Sequence, residues 1–369
     1  MASLPSQCPE CQSPIRLPPT AAPGKRFRCP ACSAVFAIPG DDFNAGEEEL
    51  PRRQARPRRR KKKSAARLWI GLGVGCGVAL MAVVGGCVGL FYWFLSPTSF
   101  PDQTEDYAQA RKTFQTRLIR QGSAPQPWQP ARLVPGADEV VYQSGNLRLK
   151  AWVSSAADGV NEKRPAVLFL HGGFAFGEDD WEQAEPFRDA GFVVMIPTLR
   201  GENGLPGAYS MFYNEVDDVL AAADVLAERP DVDPDRIFVA GHSVGGTLAL
   251  LASMTRARFR AAASFSGSPD QVAWARGQPQ VVPFNPSDNR EYQMRSPLAF
   301  PASFKCPVRI YYGSQEILFS GSSQKLAEQA KKHNLDVEAV SVPGDHLSSV
   351  DAAMQQAIAF FRSQDRRGK

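Results

Sequence analysis

Between residues 138 and 364 the apolar positions fall into short runs separated by amphipathic stretches. Glu139–Gln143 and Leu147–Val153 alternate apolar and polar side chains around Ser144-Gly145-Asn146, which predicts a hairpin of half-buried strands. Further on, apolar runs recur at Ala166–Leu170, Phe192–Ile196, Ile237–Ala240, Ala261–Phe265, Val308–Tyr312 and Val337–Val342. Helical periodicity lies near 181–190, 213–228, 246–254, 322–333 and 349–362. Continuous apolar strands alternating with amphipathic helices predict an α/β domain, a mostly parallel sheet with helices on both faces. The stretch 269–303 breaks the alternation with prolines and the aromatics Trp274, Phe284, Tyr292 and Phe300, and reads as an excursion that could form a small lid.

The N-terminal part has a different pattern. Residues 68–95 carry no charged side chain, and as a helix these 28 residues would span about 42 Å against about 30 Å of bilayer hydrocarbon. Trp69 and Tyr92-Trp93 stand near its ends, as interfacial aromatics do. The expectation is one transmembrane helix. Ten Lys and Arg lie between Arg52 and Arg67, whereas Asp102, Glu105 and Asp106 follow the run. That asymmetry places the N-terminus in the cytoplasm and the C-terminal domain outside. Gly71, Gly75, Gly85 and Gly89 give small-xxx-small spacing, which leaves a homodimer through this helix as an open alternative. Residues 41–67 turn from acidic to strongly basic and are expected to be a disordered linker. Residues 96–137 read as a stalk: a short helix over Asp102–Arg120 with Tyr107, Ala110, Phe114 and Leu118 on one face, then a Pro-rich extended segment over Gly122–Pro135.

The net charge of +4 hides a split. Residues 1–67 hold fourteen Lys and Arg against six Asp and Glu, whereas residues 96–369 hold 28 against 32. The large domain therefore has no electrostatic reason to bind nucleic acid. Four of the seven cysteines, Cys8, Cys11, Cys29 and Cys32, form two C-x2-C knuckles seventeen residues apart. Four thiolates at that spacing can surround Zn²⁺, and a segment too short for a core would draw most of its folding energy from the metal. Disulfide pairing is the alternative. Residues 1–40 resemble the zinc-ribbon modules found at the N-termini of some bacterial membrane proteins. That resemblance implies structural zinc and leaves room for a cytoplasmic protein partner.

Candidate chemistry centres on Gly241-His242-Ser243-Val244-Gly245, between an apolar strand and a small-residue helix. This G-x-S-x-G turn would lift the Ser243 hydroxyl above the sheet edge, with the Val244 N–H aimed where an oxyanion would form. Of the four histidines, His346 follows the last strand, where the base belongs when the chain order is Ser, acid, His. Glu316, after the strand ending near Tyr312, is the candidate acid, with Asp345 and Asp270 as rivals. Leu170-His171-Gly172-Gly173-Phe174 closes the first core strand and offers the Gly173 or Phe174 N–H as a second oxyanion donor.

With these residues placed, residues 138–364 resemble the α/β-hydrolase superfamily. More narrowly they are similar to the catalytic domain of the prolyl oligopeptidase family and to dienelactone-hydrolase-like esterases. The matching pieces are Leu170–Gly173, Thr198–Gly204, Val232–Ile237, the elbow with Gly245-Gly246, and Gly344–His346. Glu316 stands where the family usually has Asp, and Ser243 stands where dienelactone hydrolases have cysteine. About 40 residues separate the apolar run from the first strand, too few for the propeller of the oligopeptidases. The resemblance implies a serine hydrolase needing no catalytic cofactor and acting on a small ester or a short peptide, and the apolar run adds the expectation of a membrane anchor. An esterase is the leading expectation. A prolyl-oligopeptidase-type peptidase and a non-catalytic scaffold are the alternatives.

Overall fold

The computed structural model describes residues 98–100, 104–156 and 162–366, and in the first forty residues positions 8, 11, 13, 14, 26–29, 31, 32 and 35–37. The chain divides into two compact units, Met1–Gly73 and Val74–Lys369. In the first, strands β1 (Arg26–Arg28) and β2 (Val35–Ala37) pair antiparallel.

The second unit is built on an eight-stranded sheet of β3 (Ala137–Ser144), β4 (Leu147–Ser154), β5 (Arg164–Leu170), β6 (Val193–Pro197), β7 (Val232–His242), β8 (Ala262–Phe265), β9 (Val308–Gly313) and β10 (Val337–Val342). Their spatial order is β3-β4-β6-β5-β7-β8-β9-β10. The β3–β4 hairpin and the β4–β6 pair are antiparallel, and the other pairs are parallel. Each apolar run expected as a strand lies in one of these strands, with only the edges shifted.

The period of two along β5 explains why both faces are covered. Ala166, Leu168 and Leu170 enter one core cluster, while Val167 and Phe169 enter the other. On the first face lie Val216 and Leu226 of the helix Glu215–Ala227, Leu248 of Val244–Ser253, and Leu326 of Ile317–Lys332. On the second, Phe187 and Phe361 close over Phe238, the Phe238 and Phe361 rings stacking at 4.5 Å.

The expected stalk is not a free spacer. The helix Tyr107–Thr113 has the apolar face anticipated for it, and that face needs a partner. Tyr107 and Ala110 are buried in the first core cluster, the Tyr107 ring lying 5.0 Å from that of Phe300. Beyond it, Thr116 joins a buried network. The Arg295 guanidinium, fully buried, donates to Glu291 Oε2 at 2.6 Å, to Thr116 Oγ1 at 2.7 Å and to the Ser210 carbonyl at 2.9 Å. The excursion 269–303 therefore has a fixed base. It contains two short helices, Gln271–Gly277 and Asn289–Gln293.

The expected membrane pass is corrected. Among the described residues, no helix is long and apolar enough to cross a membrane. Val350–Arg366, with 17 residues, and Ile317–Lys332, with 16, each bury one face and expose the other. A span needs about 20 largely apolar residues. The run 68–95, the linker 41–67 and the glycines at 71, 75, 85 and 89 lie outside the described residues. The described residues give no support to a membrane-anchored, extracytoplasmic placement of the hydrolase domain.

Candidate active site

The elbow forms where β7 ends at His242 and the helix Val244–Ser253 begins. Ser243, between them, has φ 54° and ψ −111°, a left-handed conformation that a non-glycine residue adopts only when its surroundings enforce it. The enforcement is visible. Ser243 N–H donates to the Phe265 carbonyl of β8 at 2.8 Å, and Gly245 N–H to the His171 carbonyl at 3.1 Å. A Cβ on Gly245 would sit 2.0 Å from the Leu170 carbonyl oxygen, so only glycine lets the helix approach β5 this closely.

His346 lies in the turn after β10. The Asp345 carboxylate shapes that turn by accepting from Leu347 N at 3.1 Å, Ser348 N at 2.9 Å and Ser348 Oγ at 2.7 Å. These hydrogen bonds hold the Asp345 carboxyl down at about 2. The imidazole bridges two groups: Nε2 is 3.0 Å from Ser243 Oγ, and Nδ1 is 2.6 Å from Glu316 Oε1. Glu316 immediately precedes the helix Ile317–Lys332 and is nearly buried. Its second oxygen accepts from Gly313 N at 2.6 Å and from Ser266 Oγ. Burial pushes the Glu316 carboxyl up, but the hydrogen bonds from His346, Ser266 and Gly313 outweigh it and hold the group below its ordinary value. An ionised Glu316 makes Nδ1 the protonated nitrogen of a neutral His346 and leaves Nε2 free to accept from the Ser243 hydroxyl. The rivals are engaged elsewhere. Asp345 caps its own turn, and Asp270 caps the helix Gln271–Gly277 through the Val272 and Ala273 N–H groups.

His242 leaves the elbow in another direction. Its Nε2 donates to the His346 carbonyl at 3.0 Å, and its ring lies 5.0 Å from that of His346. Burial lowers its pKa, so the ring is neutral at neutral pH. The remaining two histidines are outside this chain of bonds. His171 is buried with Nε2 3.0 Å from Glu202 Oε2. Burial opposes its charge, but the Glu202 carboxylate outweighs burial and raises the imidazole to about 10. His333 is exposed at the end of its helix.

On the oxyanion side, the N–H groups of Val244 and Gly173 have no hydrogen-bond partner among the described residues. Phe174 N–H donates to Gln126 Oε1 at 2.8 Å. Of the two donors anticipated on that loop, Gly173 is the one with an unengaged proton. The Phe174 ring meets Tyr209 at 5.1 Å and Trp274, from the excursion, at 6.2 Å. On the base side, Phe319 lies 5.6 Å from His346, and Ile317, Leu318 and Leu347 are exposed.

Sequence reasoning missed Ser266, Gln126 and the His242 tether. Ser266 had one weak signal, its place just beyond the carboxyl end of a central strand, where open α/β sheets gather their ligands. Gln126 had none, because its contact depends on where the N-terminal segment is laid.

In the first unit the Sγ atoms of Cys8, Cys11, Cys29 and Cys32 all lie within 4.8 Å of one another. Cys8–Cys32 and Cys11–Cys29 are 3.7 and 3.8 Å apart, too long for a disulfide. Zn–S bonds of 2.3 Å in a tetrahedron put sulfurs about 3.8 Å apart, so the donor set fits the metal. Hydrogen bonds from the side chain and backbone of Ser13 pull the Cys11 thiol down to about 6, toward the thiolate a metal needs.

Residues 179–346 match the family described as the prolyl oligopeptidase family. YtmA of Bacillus subtilis, described as an uncharacterized peptidase, is 26% identical over 231 residues, 58% of this chain and 85% of that protein. An uncharacterized protein of Mycobacterium tuberculosis is 30% identical over 174 residues, 47% of this chain and 54% of that protein. Among solved structures, the acylaminoacyl peptidase of Pyrococcus horikoshii aligns with a TM-score of 0.51 at 19% identity, covering 61% of this chain and 40% of that one. The esterase Est2 of Thermogutta terrifontis, solved with butyrate bound, aligns with a TM-score of 0.50 at 21% identity, covering 62% of this chain and 94% of that one. At these identities the two structures speak for the α/β-hydrolase fold alone. Residues 179–346 thus match the prolyl oligopeptidase family, a family of serine hydrolases, and the curated relatives align with the same C-terminal part of the chain.

Proposed function

We propose that the C-terminal domain hydrolyses carboxylic esters through an acyl-enzyme on Ser243. His346 Nε2 takes the hydroxyl proton as Ser243 Oγ attacks the carbonyl, then returns it to the leaving alkoxide. Glu316 keeps Nδ1 protonated and stabilises the imidazolium. The Val244 and Gly173 N–H groups receive the developing oxyanion. Water then attacks the acyl-enzyme, with His346 again as base, and frees Ser243. The observation that carries this reading is the unbroken chain from Ser243 Oγ through His346 to Glu316, at 3.0 and 2.6 Å. The exposed Ile317, Leu318 and Leu347, adjacent in sequence to the acid and the base, favour apolar substrate groups beside His346. Cleavage of short peptide or aminoacyl amides is the second reading, favoured by the peptidase description of the Bacillus relative. The N-terminal cysteines are assigned a structural Zn²⁺ within a module of residues 1–40, with 41–67 as linker.

The test is a panel of acyl esters and aminoacyl amides, run with wild type and Ser243→Ala, alongside labelling by a fluorophosphonate. Ester turnover and labelling that both vanish in Ser243→Ala are expected. Wild-type protein that neither labels nor turns over any substrate would favour a non-catalytic scaffold, and amide turnover exceeding ester turnover would favour the peptidase.

A further inference from the structure

The N-terminal segment reaches the oxyanion loop, and what it places there is an amide. Gln126 Oε1 accepts from Phe174 N at 2.8 Å. The same oxygen lies over Gly173, whose φ is +68°, and would stand 2.5 Å from a Cβ built there. We propose that Gln126 is a positioning residue for the oxyanion hole: by holding the Phe174 N–H, it turns the Gly172–Phe174 loop so that the Gly173 N–H faces the Ser243 side. The inference rests on the acyl-transfer reading above.

Three observations make Gln126 a fixed group although its side chain lies at the surface. It stands between Pro125 and Pro127, which narrow its backbone to extended conformations. Its strap is pinned on the loop 199–204 through Ala124 N–H to the Gly201 carbonyl, and just beyond that loop through Tyr209 N–H to the Gly122 carbonyl, both at 2.9 Å. Trp128 lies over Gly204, where an added methyl would meet the indole at 3.0 Å. The loop 199–204 is in turn bound to the strand end that carries the oxyanion residues. Glu202 pairs with His171, and the Asn203 side chain exchanges hydrogen bonds with the backbone of Phe176 at 2.7 and 2.9 Å. The strap, the loop and the oxyanion turn form one braced unit. A flexible peptide N–H aimed at a developing charge has to be ordered during the reaction, whereas one already oriented does not.

The experiment uses the full chain with Gln126→Ala and Gln126→Glu on one activated ester. Removing a whole oxyanion donor costs about 10²–10³ in kcat, so misorienting one should cost about tenfold, with KM changed less than twofold. Gln126→Glu keeps an acceptor for Phe174 N–H but brings a negative charge beside the oxyanion. An exposed carboxyl is ionised above about pH 5, so at pH 7 Gln126→Glu should lower kcat at least as far as Gln126→Ala does, with KM again changed less than twofold. Gln126→Ala within twofold of wild-type kcat, or a Gln126→Glu kcat equal to that of wild type at pH 7, would overturn the proposal. Failure of the acyl-transfer reading looks different, since the wild type would then show either no turnover or turnover that survives Ser243→Ala, whatever stands at position 126.

Discussion

Ser266 and Glu316 stand fifty residues apart in the sequence, yet the Ser266 hydroxyl donates to the carboxylate oxygen of Glu316 that does not face His346. Ser266 has φ 51°, so the backbone after β8 is bent into a left-handed conformation to bring the hydroxyl there. The longer arm of Glu, compared with Asp, is thereby held in place at its far end. Ser266→Ala should remove a charge-assisted hydrogen bond of about 1.5–3 kcal/mol and let the Glu316 carboxyl rise toward its ordinary value. We expect kcat to fall several-fold and the acid limb of the pH–kcat profile to move to higher pH. An unmoved acid limb would count against this role.

The identity of the acid can be settled by exchange of charge for amide. Glu316→Gln should lower kcat by roughly 10²–10⁴ with little change in thermal stability. Asp345→Asn should stay within about threefold of wild type, a barrier change of roughly 0.65 kcal/mol, because its carboxylate serves its own turn. Measured kcat values on one ester decide the matter, and the reverse ranking would transfer the role to Asp345.

The buried His171–Glu202 pair predicts a pH dependence of stability. The folded state holds the His171 proton up to about pH 10, whereas the unfolded chain releases it near 6.5. The folded state binds the extra proton between these values, so its stabilisation is complete below 6.5 and is lost as pH rises through that window. His242, held neutral, acts in the opposite sense and only on the acid side of 6.5. Denaturation midpoints from pH 6.5 to 9 should fall for wild type. Glu202→Gln should flatten that slope and cost about 3–5 kcal/mol at its acid end. An equal slope in the variant would assign the pH dependence to other groups.

For the cysteine cluster the expected stoichiometry is one Zn²⁺ per chain under reducing conditions, lost in Cys29→Ser. Elemental analysis of the purified full chain provides the check. A metal-free wild type, or a Cys29→Ser variant that keeps its zinc, would remove the metal assignment. The hydrolase activity should be the same in both proteins, since none of these cysteines belongs to the Ser243 site.

Much of the fold was legible because its signals are local. Continuous apolar strands, Gly241 and Gly245 at the elbow, and the placement of His346 after the last strand each follow from a few neighbouring residues. What escaped has partners far away in the chain. The apolar face of Tyr107–Thr113 was visible, but the sequence does not state that Phe300 is its partner, so the segment read as a spacer. Glu316 was distinguishable from Asp345 only because adjacent residues seldom aim at each other's rings, and its contacts with Ser266 and Gly313 depend on how β8 and β9 lie side by side. The expectation drawn from the apolar run at 68–95 rested on its length, its lack of charge, the aromatics at its ends and the charges that flank it.

The network of Arg295 with Thr116 has a consequence for how the domain is made. The two residues are 179 positions apart, and both must be present before the guanidinium can be buried with its partners. Until Thr116 docks, Glu291 and the Ser210 carbonyl hold the guanidinium but its Nη2 donor lacks this acceptor, which is unfavourable in a buried site. On the ribosome, the segment 104–120 emerges early and must wait for most of the domain to be synthesised before it can dock. Closure of the site therefore waits for residue 295, which follows β8 in the chain. A nascent chain halted before residue 295 would carry its nucleophile serine without the finished walls around it.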